Sequence, residues 1–212
     1  MKLYTFWRSS AAYRARIALA WKGLAYETIA QHLVRQEHRS AAYTAMNPQG
    51  LVPALADGAT LIGQSLAIIE YLEETHPTPP LLPRDAAGRA QVRSMALAIA
   101  CDIHPLQNLR VRNYLKAPLA QDDAGVDTWC RHWIAEGFRG LEELAARYST
   151  SGRHLYGASV TLADVCLVPQ MNNARRFKCD LAAFPRLVAI DAALTALPAF
   201  AAARPEIQPD AE

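Results

Sequence analysis

The chain has 212 residues, of which 51% are hydrophobic and 20% are charged, and its formal net charge is +2 at pH 7. This length allows one large domain or two small ones, and the hydrophobic content is ample for a packed core. Because no block of like charges stands out, neither nucleic acid nor a membrane surface is expected as a partner.

The start of the chain and its cysteines indicate a cytoplasmic protein. Arg8 comes before any long apolar run develops, so neither a secretory signal nor a membrane-spanning helix is predicted there. The four cysteines form no Cys-x-x-Cys pair. We therefore expect reduced thiols, with no zinc site and no dithiol redox motif.

The first residues predict a strand, a turn and a helix. Strand-forming residues fill the stretch from Met1 to Phe6, and Tyr13 and Ile17 recur at the spacing of one helix face. Ser9 and Ser10 then lie at the helix start.

A helix start stabilises an anion, because the first turn has unpaired N–H groups and about half a positive charge. A thiolate is such an anion, and this environment lowers a thiol pKa from about 8.5. Since Ala11 and Ala12 follow the serines, the sulfur must come from a ligand. The alternative is that Ser9 is an ordinary N-cap, a position that serine favours.

The next stretch predicts a small mixed sheet with helices on both faces. We expect a strand over 26–30, a short helix over 37–46, and a hairpin at Asp57-Gly58 that joins strands over 53–56 and 59–62.

Pro53 should open the first hairpin strand, because a proline inside a central strand loses a ladder bond. A cis Val52–Pro53 bond would leave the N–H and C=O of Val52 open to an extended peptide. The alternative is a plain loop. Ser65 is predicted to cap a helix over 66–72, where a carboxylate would bind beside Gln64.

Four prolines within 77–84 indicate a linker between a first domain, residues 1–76, and a second, residues 85–212. The second domain reads as all-helical. Its predicted helices cover 85–116, 127–148, 162–177 and 187–197. Thr161 and Asp164 predict a capping box, which we interpret as structural.

Two places in the second domain carry candidate chemistry. His104 and Asn108 are one turn apart, and Pro105 is expected to kink the helix there, so polar groups would line a cavity. The alternative is that Asp102 and His104 satisfy the backbone groups freed by Pro105. Arg175 and Arg176 close a helix, where cations also complement the helix dipole.

Taken together, these residues resemble the zeta class of the glutathione transferase superfamily, which contains glutathione-dependent maleylacetoacetate and maleylpyruvate isomerases. The resemblance covers essentially the whole chain. It implies an N-terminal thioredoxin-like domain followed by a helical bundle, and a homodimer. The stretches that carry it are Arg8-Ser9-Ser10 through Leu19, Asn47 through Leu55, Gln64-Ser65, and Asp102 through Asn108.

The resemblance also implies a glutathione site. Ser9, with Ser10 and Ala11, would lie beside the sulfur, and Val52 would pair with the peptide backbone. Gln64 and Ser65 would hold the γ-glutamyl end, and His38 would touch the glycine end. The residues implied to complete the glutathione and substrate pocket are Asp102, His104, Asn108 and Arg110.

The activity implied is cis–trans isomerisation of a small unsaturated keto-dicarboxylate. Two carboxylates favour forked donors, so Arg8 and Arg176 are the candidate catalytic cations, with Arg110 as a third. Zeta-class proteins usually carry a cysteine where this chain has Ala11, which favours the maleylpyruvate branch. The alternatives are a glutathione-conjugating transferase or peroxidase, and a noncatalytic binding protein with the same fold.

Overall fold

A computed structural model describes all residues from 1 to 212 and divides them into two compact units. The first unit comprises Met1–Pro80 together with Ala196–Glu212, and the second comprises Leu81–Thr195. The boundary falls inside the stretch predicted as a linker. Residues 196–212, which the sequence placed in the helical domain, belong instead to the first unit.

The first unit contains a four-stranded sheet in the order β2-β1-β3-β4. Strands β1 and β2 are parallel, and the β1–β3 and β3–β4 pairs are antiparallel, which confirms the predicted mixed sheet. The elements of this unit are β1 (Lys2–Thr5), α1 (Ser10–Trp21), β2 (Glu27–Ala30), α2 (Ala41–Met46), β3 (Ala54–Asp57), β4 (Thr60–Gly63), α3 (Ser65–Thr75) and a late helix (Pro198–Ala202).

The register of the sheet brings several connections to one end. Tyr4 pairs with Ala54, Ala54 pairs with Gly63, and Thr5 pairs with Ala30. The residues that follow β1, β2 and β4 and those that precede β3 therefore begin at the same end of the sheet, which we call the site end. The Asp57–Thr60 pair marks the opposite end.

Helix α1 packs against α3 and against the late helix. Its inward residues are mostly small or aliphatic, including Ala15, Ile17 and Leu19, each fully buried. Small side chains let neighbouring helices approach closely, and their burial provides the hydrophobic stabilisation of this unit. Trp21 lies edge-on to Phe200 of the late helix, with ring centroids 6.5 Å apart.

The predicted helix over 37–46 is interrupted. Residues Glu37–Arg39 form a 3₁₀ turn, and α2 begins only at Ala41. Ser40 has an extended backbone and caps α2, since its hydroxyl accepts a hydrogen bond from Tyr43 N at 3.3 Å. Ser40 therefore ends the 3₁₀ turn and starts a new helix, where the sequence predicts a single helix.

The second unit is helical, as predicted. Its α-helices are α4 (Ala86–Leu97), α5 (Leu109–Lys116), α6 (Asp123–Tyr148), α7 (Leu162–Arg176) and α8 (Pro185–Thr195); the late helix of the first unit is α9. None of the helices is both long and apolar enough to cross a membrane.

The prediction that His104 and Asn108 share one kinked α-helix is wrong. The chain forms a π-helical segment over Ala98–Ile103 and a 3₁₀ segment over His104–Gln107. Pro105 has no N–H to continue the α-helical pattern, and Asn108 is extended and caps α5.

The capping box at the start of α7 is confirmed. Asp164 is fully buried and accepts hydrogen bonds from Thr161 N at 2.7 Å and from Thr161 Oγ1 at 2.9 Å. Its other oxygen accepts Leu155 N at 2.7 Å. One carboxyl group thus joins the helix start to the loop before it.

Replacing Asp164 with alanine should lower the free energy of unfolding by about 3 kcal/mol, because two buried backbone N–H groups lose their acceptor. Urea denaturation measures the change. The matched control is Asp123→Ala at the exposed start of α6, which should cost less than about 1 kcal/mol. Equal losses in the two variants would contradict the role assigned to Asp164.

Candidate active site

Ser9 lies at the site end of the sheet and is the N-cap of α1, as predicted. Its Oγ accepts a hydrogen bond from Ala12 N at 3.2 Å, and Ser9 N donates to Phe6 O at 3.0 Å. A hydroxyl that accepts one bond still has its own proton to donate. The capping role and the anion-binding role are therefore compatible. Ser10 and Ala11 follow in the first turn, where N–H groups have no partner within the helix.

A buried arginine holds the loop that carries Ser9. Arg16 is 1% exposed, and its guanidinium donates to Trp7 O at 2.9 Å, to Thr5 Oγ1 at 3.2 Å and to Phe6 O at 3.4 Å. It also donates to Ala203 O at 3.1 Å. Burial lowers the pKa of Arg16 to about 10, so the group stays charged at neutral pH.

Arg16 was not among the site residues predicted from the sequence. The signal that could have revealed it is a cation within a helix of alanine and aliphatic residues, where a charge needs partners. Arg8, in contrast, is exposed, and its Cζ lies 5.3 Å from the centroid of the Trp7 ring.

The loop before β3 also starts from the site end. The Val52–Pro53 bond is cis, as predicted. Leu51 O accepts Tyr43 Oη at 2.6 Å and Asn47 Nδ2 at 2.9 Å, which fixes the backbone beside Val52. No backbone hydrogen bond within the chain uses the N–H or C=O of Val52.

The start of α3 lies at the same end. Ser65 does not cap this helix, contrary to the prediction, because it is already the first helical residue. Gln64 is the N-cap, with φ of 66°, and its side chain makes no capping bond. Instead, Ser65 Oγ accepts Arg14 Nη1 at 3.4 Å, and Gln64 Nε2 donates to Gln49 Oε1 at 2.9 Å. The first N–H groups of α3 therefore have no side-chain acceptor.

His38 lies in the 3₁₀ turn after β2 and is buried. A Cβ atom on Gly50 would come within 3.1 Å of His38 O, so the turn packs against the loop that leads to Val52. Burial, followed by the nearby Arg39 charge, lowers the pKa of His38, which keeps the imidazole neutral at pH 7.

The remaining predicted residues belong to the second unit. Asp102 is exposed in the π-helical segment, His104 begins the 3₁₀ segment, and both precede Asn108. Asn108 Oδ1 accepts Arg110 N at 3.2 Å, and the Arg110 side chain is exposed. Trp129 Nε1 donates to Leu106 O at 2.7 Å and anchors this stretch to α6.

Arg176 lies in the last turn of α7, as predicted, and is exposed. Its Cζ lies 5.2 Å from the centroid of the Phe177 ring, and the Cζ of Arg112 lies 5.5 Å from the same centroid. Arg131 Nη1 donates to Phe177 O at 3.4 Å. Three cations from α5, α6 and α7 thus gather at Phe177, and of these only Arg176 was predicted from the sequence.

Replacing Arg16 with methionine should loosen the 6–9 loop, because its carbonyl acceptors lose a buried charged donor. Amide hydrogen exchange in residues 6–12 should accelerate by about tenfold or more. Arg139→Met, an exposed change on α6, is the control and should leave that exchange unchanged. Unchanged exchange in Arg16→Met would contradict the anchoring role.

Comparison with known proteins places this geometry in a family. A family model for the glutathione S-transferase N-terminal domain matches residues 3–80. The chain is 50% identical over 210 residues to a maleylpyruvate isomerase of a Ralstonia species, covering 99% of each protein.

Solved structures agree with the sequence match. A holo structure of a maleylpyruvate isomerase, described as a bacterial zeta-class glutathione S-transferase, has a TM-score of 0.98 and 50% identity over 100% of both chains. A maleylacetoacetate isomerase from Methylobacterium extorquens AM1, with bound malonate and glutathione, has a TM-score of 0.96 and 40% identity, again over 100% of both chains. The chain therefore belongs to the glutathione S-transferase family, within its zeta class.

Proposed function

We propose that this protein is a glutathione-dependent cis–trans isomerase of a small unsaturated keto-dicarboxylate, maleylpyruvate or maleylacetoacetate. The observation that carries the proposal is the site end of the sheet. There the start of α1, the Val52 backbone and the start of α3 all offer groups without partners in the chain. The names of the relatives, and the glutathione and malonate bound in one of them, support the same reaction.

The residues of the first unit fit glutathione. An extended peptide needs a backbone donor and acceptor, and Val52 has both available. A carboxylate is stabilised by unpaired N–H groups, which the start of α3 supplies at Ser65. Gln64 lies beside that helix start. We propose that Val52 holds the peptide backbone, and that Gln64 and Ser65 hold the γ-glutamyl end.

Ser9 is proposed to stabilise the bound sulfur as a thiolate. Its hydroxyl proton is available, and the first-turn N–H groups of Ser10 and Ala11 add the positive end of the helix dipole. The usual cysteine of the class is absent at Ala11. Nothing in this arrangement needs that sulfur, since glutathione brings its own. His38, from its turn beside Gly50, is proposed to contact the glycine end.

Glutathione, when bound, supplies a thiolate that adds reversibly to the alkene carbon, so that the former double bond is free to rotate. As charge develops on the keto oxygen of the substrate, a fixed cation stabilises the transition state more than the ground state. We propose Arg8 and Arg176 for this task and for binding the carboxylates, with Arg110 as a further cation. Asp102, His104 and Asn108 are proposed to complete the pocket.

We propose that the unit Leu81–Thr195 binds the dicarboxylate, because cations gather there at Phe177. Homodimer formation and a cytoplasmic location also belong to the proposal. The location is supported by the four free cysteines, because glutathione keeps thiols reduced in the cytoplasm.

The decisive assay offers maleylpyruvate and maleylacetoacetate in parallel, with and without glutathione, and follows both isomerisation and glutathione concentration. Isomerisation that depends on glutathione but does not consume it is the expected result. Stoichiometric consumption would indicate a conjugating transferase or peroxidase. A protein that fails to bind immobilised glutathione would be a noncatalytic member of the fold.

Replacing Ser9 with alanine should raise the pKa of the bound glutathione thiol by about 1–2 units, because a charge-assisted hydrogen bond is lost. The isomerisation rate rises with pH as the thiol ionises, so the midpoint of the pH–rate profile should move upward by the same amount. Asp122→Ala, which removes the N-cap of α6, is the control and should leave the midpoint unchanged. An unshifted midpoint in Ser9→Ala would contradict the role of Ser9.

Replacing Arg8 or Arg176 with methionine should lower turnover by about 100-fold, or about 2.7 kcal/mol of transition-state stabilisation, with little change in glutathione affinity. Steady-state kinetics and calorimetry measure the two effects. Arg147→Met is the control for Arg176, because both side chains lie in the last turn of a long helix. Equal loss of turnover and glutathione affinity would argue against this division of roles.

A further inference from the structure

The late segment of the first unit, residues 203–212, returns to the loop that carries Arg8 and Ser9. We call it the return segment. Its Ala203 O accepts Arg16 Nε at 3.1 Å, and its Asp210 Oδ2 accepts Trp7 N at 2.9 Å. Neither the isomerase reaction nor the family comparison assigns a role to this segment.

Asp210 and Arg16 together fix the backbone of Trp7. Asp210 Oδ2 accepts a hydrogen bond from Trp7 N, and Arg16 Nη2 donates one to Trp7 O at 2.9 Å. Two successive peptide planes are thereby fixed, and Arg8 and Ser9 follow immediately along the chain. A carboxylate that accepts from a backbone N–H makes a stronger bond than a neutral acceptor does.

The carboxylate of Asp210 also lies within electrostatic reach of the buried guanidinium. Burial is the main influence on the pKa of Arg16 and lowers it, while electrostatic interactions with Tyr26 and Asp210 oppose that shift. Asp210 Oδ1 is buried and has no hydrogen-bond partner. Keeping that oxygen out of water is unfavourable by itself, so the nearby positive charge and the bond to Trp7 must offset it.

The return segment also contacts the rest of the first unit through Glu212, but this contact contributes less to stability. Glu212 pairs with Arg35 Nη2 at 2.6 Å and lies 3.2 Å from His32 Nε2, but the side chains of Glu212 and Arg35 are more than half exposed, at 54% and 66%. Exposed pairs contribute little because water and salt screen them. Asp210, not Glu212, is therefore the residue that ties the segment to the site.

We propose that Asp210 is a positioning residue for the glutathione site, acting through the Trp7 backbone to hold Ser9 against the bound thiol. The inference rests on the proposed function, because it concerns the same glutathione. It adds a residue 201 positions beyond Ser9 in the chain to the machinery of the first-unit site.

The test compares Asp210→Ala with Asp210→Asn, since an asparagine oxygen can accept the same bond from Trp7 N. Calorimetry with reduced glutathione gives the dissociation constant, and thiolate absorbance of the complex gives the thiol pKa. Asp210→Ala should weaken binding by about tenfold and raise the thiol pKa, whereas Asp210→Asn should stay within about twofold of the parent protein.

Asp57→Ala is the matched control. It removes a carboxylate hydrogen bond of similar length, 2.8 Å to Tyr71 Oη, at the opposite end of the same sheet. Its binding should equal that of the parent protein, measured where every variant is fully folded. The proposal is overturned if Asp210→Ala binds glutathione normally, or if Asp57→Ala weakens binding to the same degree. If the parent protein itself did not bind glutathione, that result would contradict the proposed function rather than the role of Asp210.

Discussion

Backbone groups without partners in the chain are the feature on which the proposed chemistry depends. A folded protein pairs nearly all of its backbone donors and acceptors, so groups left available at one place mark a surface built for a ligand. Here they come from three separate connections, at the first turn of α1 after Ser9, at Val52 and at Ser65. The register of β1, β3 and β4 brings them to one end of the sheet because Tyr4 and Gly63 both pair with Ala54.

The groups that face the ligand are held by neighbours whose own bonding is extensive. Arg16 donates to four acceptors behind the Ser9 loop. Tyr43 and Asn47 both donate to Leu51 O, one residue before Val52. Such support limits the motion of the binding groups, so less entropy is lost when a ligand orders them. Buried polar contacts in this unit thus serve binding as well as stability.

Much of the first unit could be predicted because its signals are local. The helix start at Ser9 and the cis bond before Pro53 each follow from a few adjacent residues, and the structure confirms them. The predicted hairpin is also present, but its two-residue turn is Gly58-Ala59, one position later than predicted, because Asp57 still pairs with Thr60. The interpretation of Ser65 as a cap was wrong by one position. Gln64 takes the N-cap with a positive φ, a backbone conformation that side-chain patterns predict poorly for a residue other than glycine.

What could not be predicted depends on contacts between distant parts of the chain. Residues 196–212 resemble the alanine-rich helices before them, yet α9 packs on α1 and Asp210 bonds to Trp7. No hydrophobic pattern within residues 196–212 indicates that they pack against the first unit. Likewise, the gathering of Arg112 and Arg131 at Phe177 requires three helices that only the tertiary fold brings together.

If free backbone groups at the site end hold glutathione, the N–H of Val52 is the group at which binding can be measured. Amide hydrogen exchange followed by nuclear magnetic resonance, with and without reduced glutathione, reports on that single N–H. Glutathione should strongly slow exchange at Val52, because the peptide would accept a new hydrogen bond from that N–H. An amide at Val52 that exchanges equally fast with saturating glutathione would contradict this role of the free backbone groups.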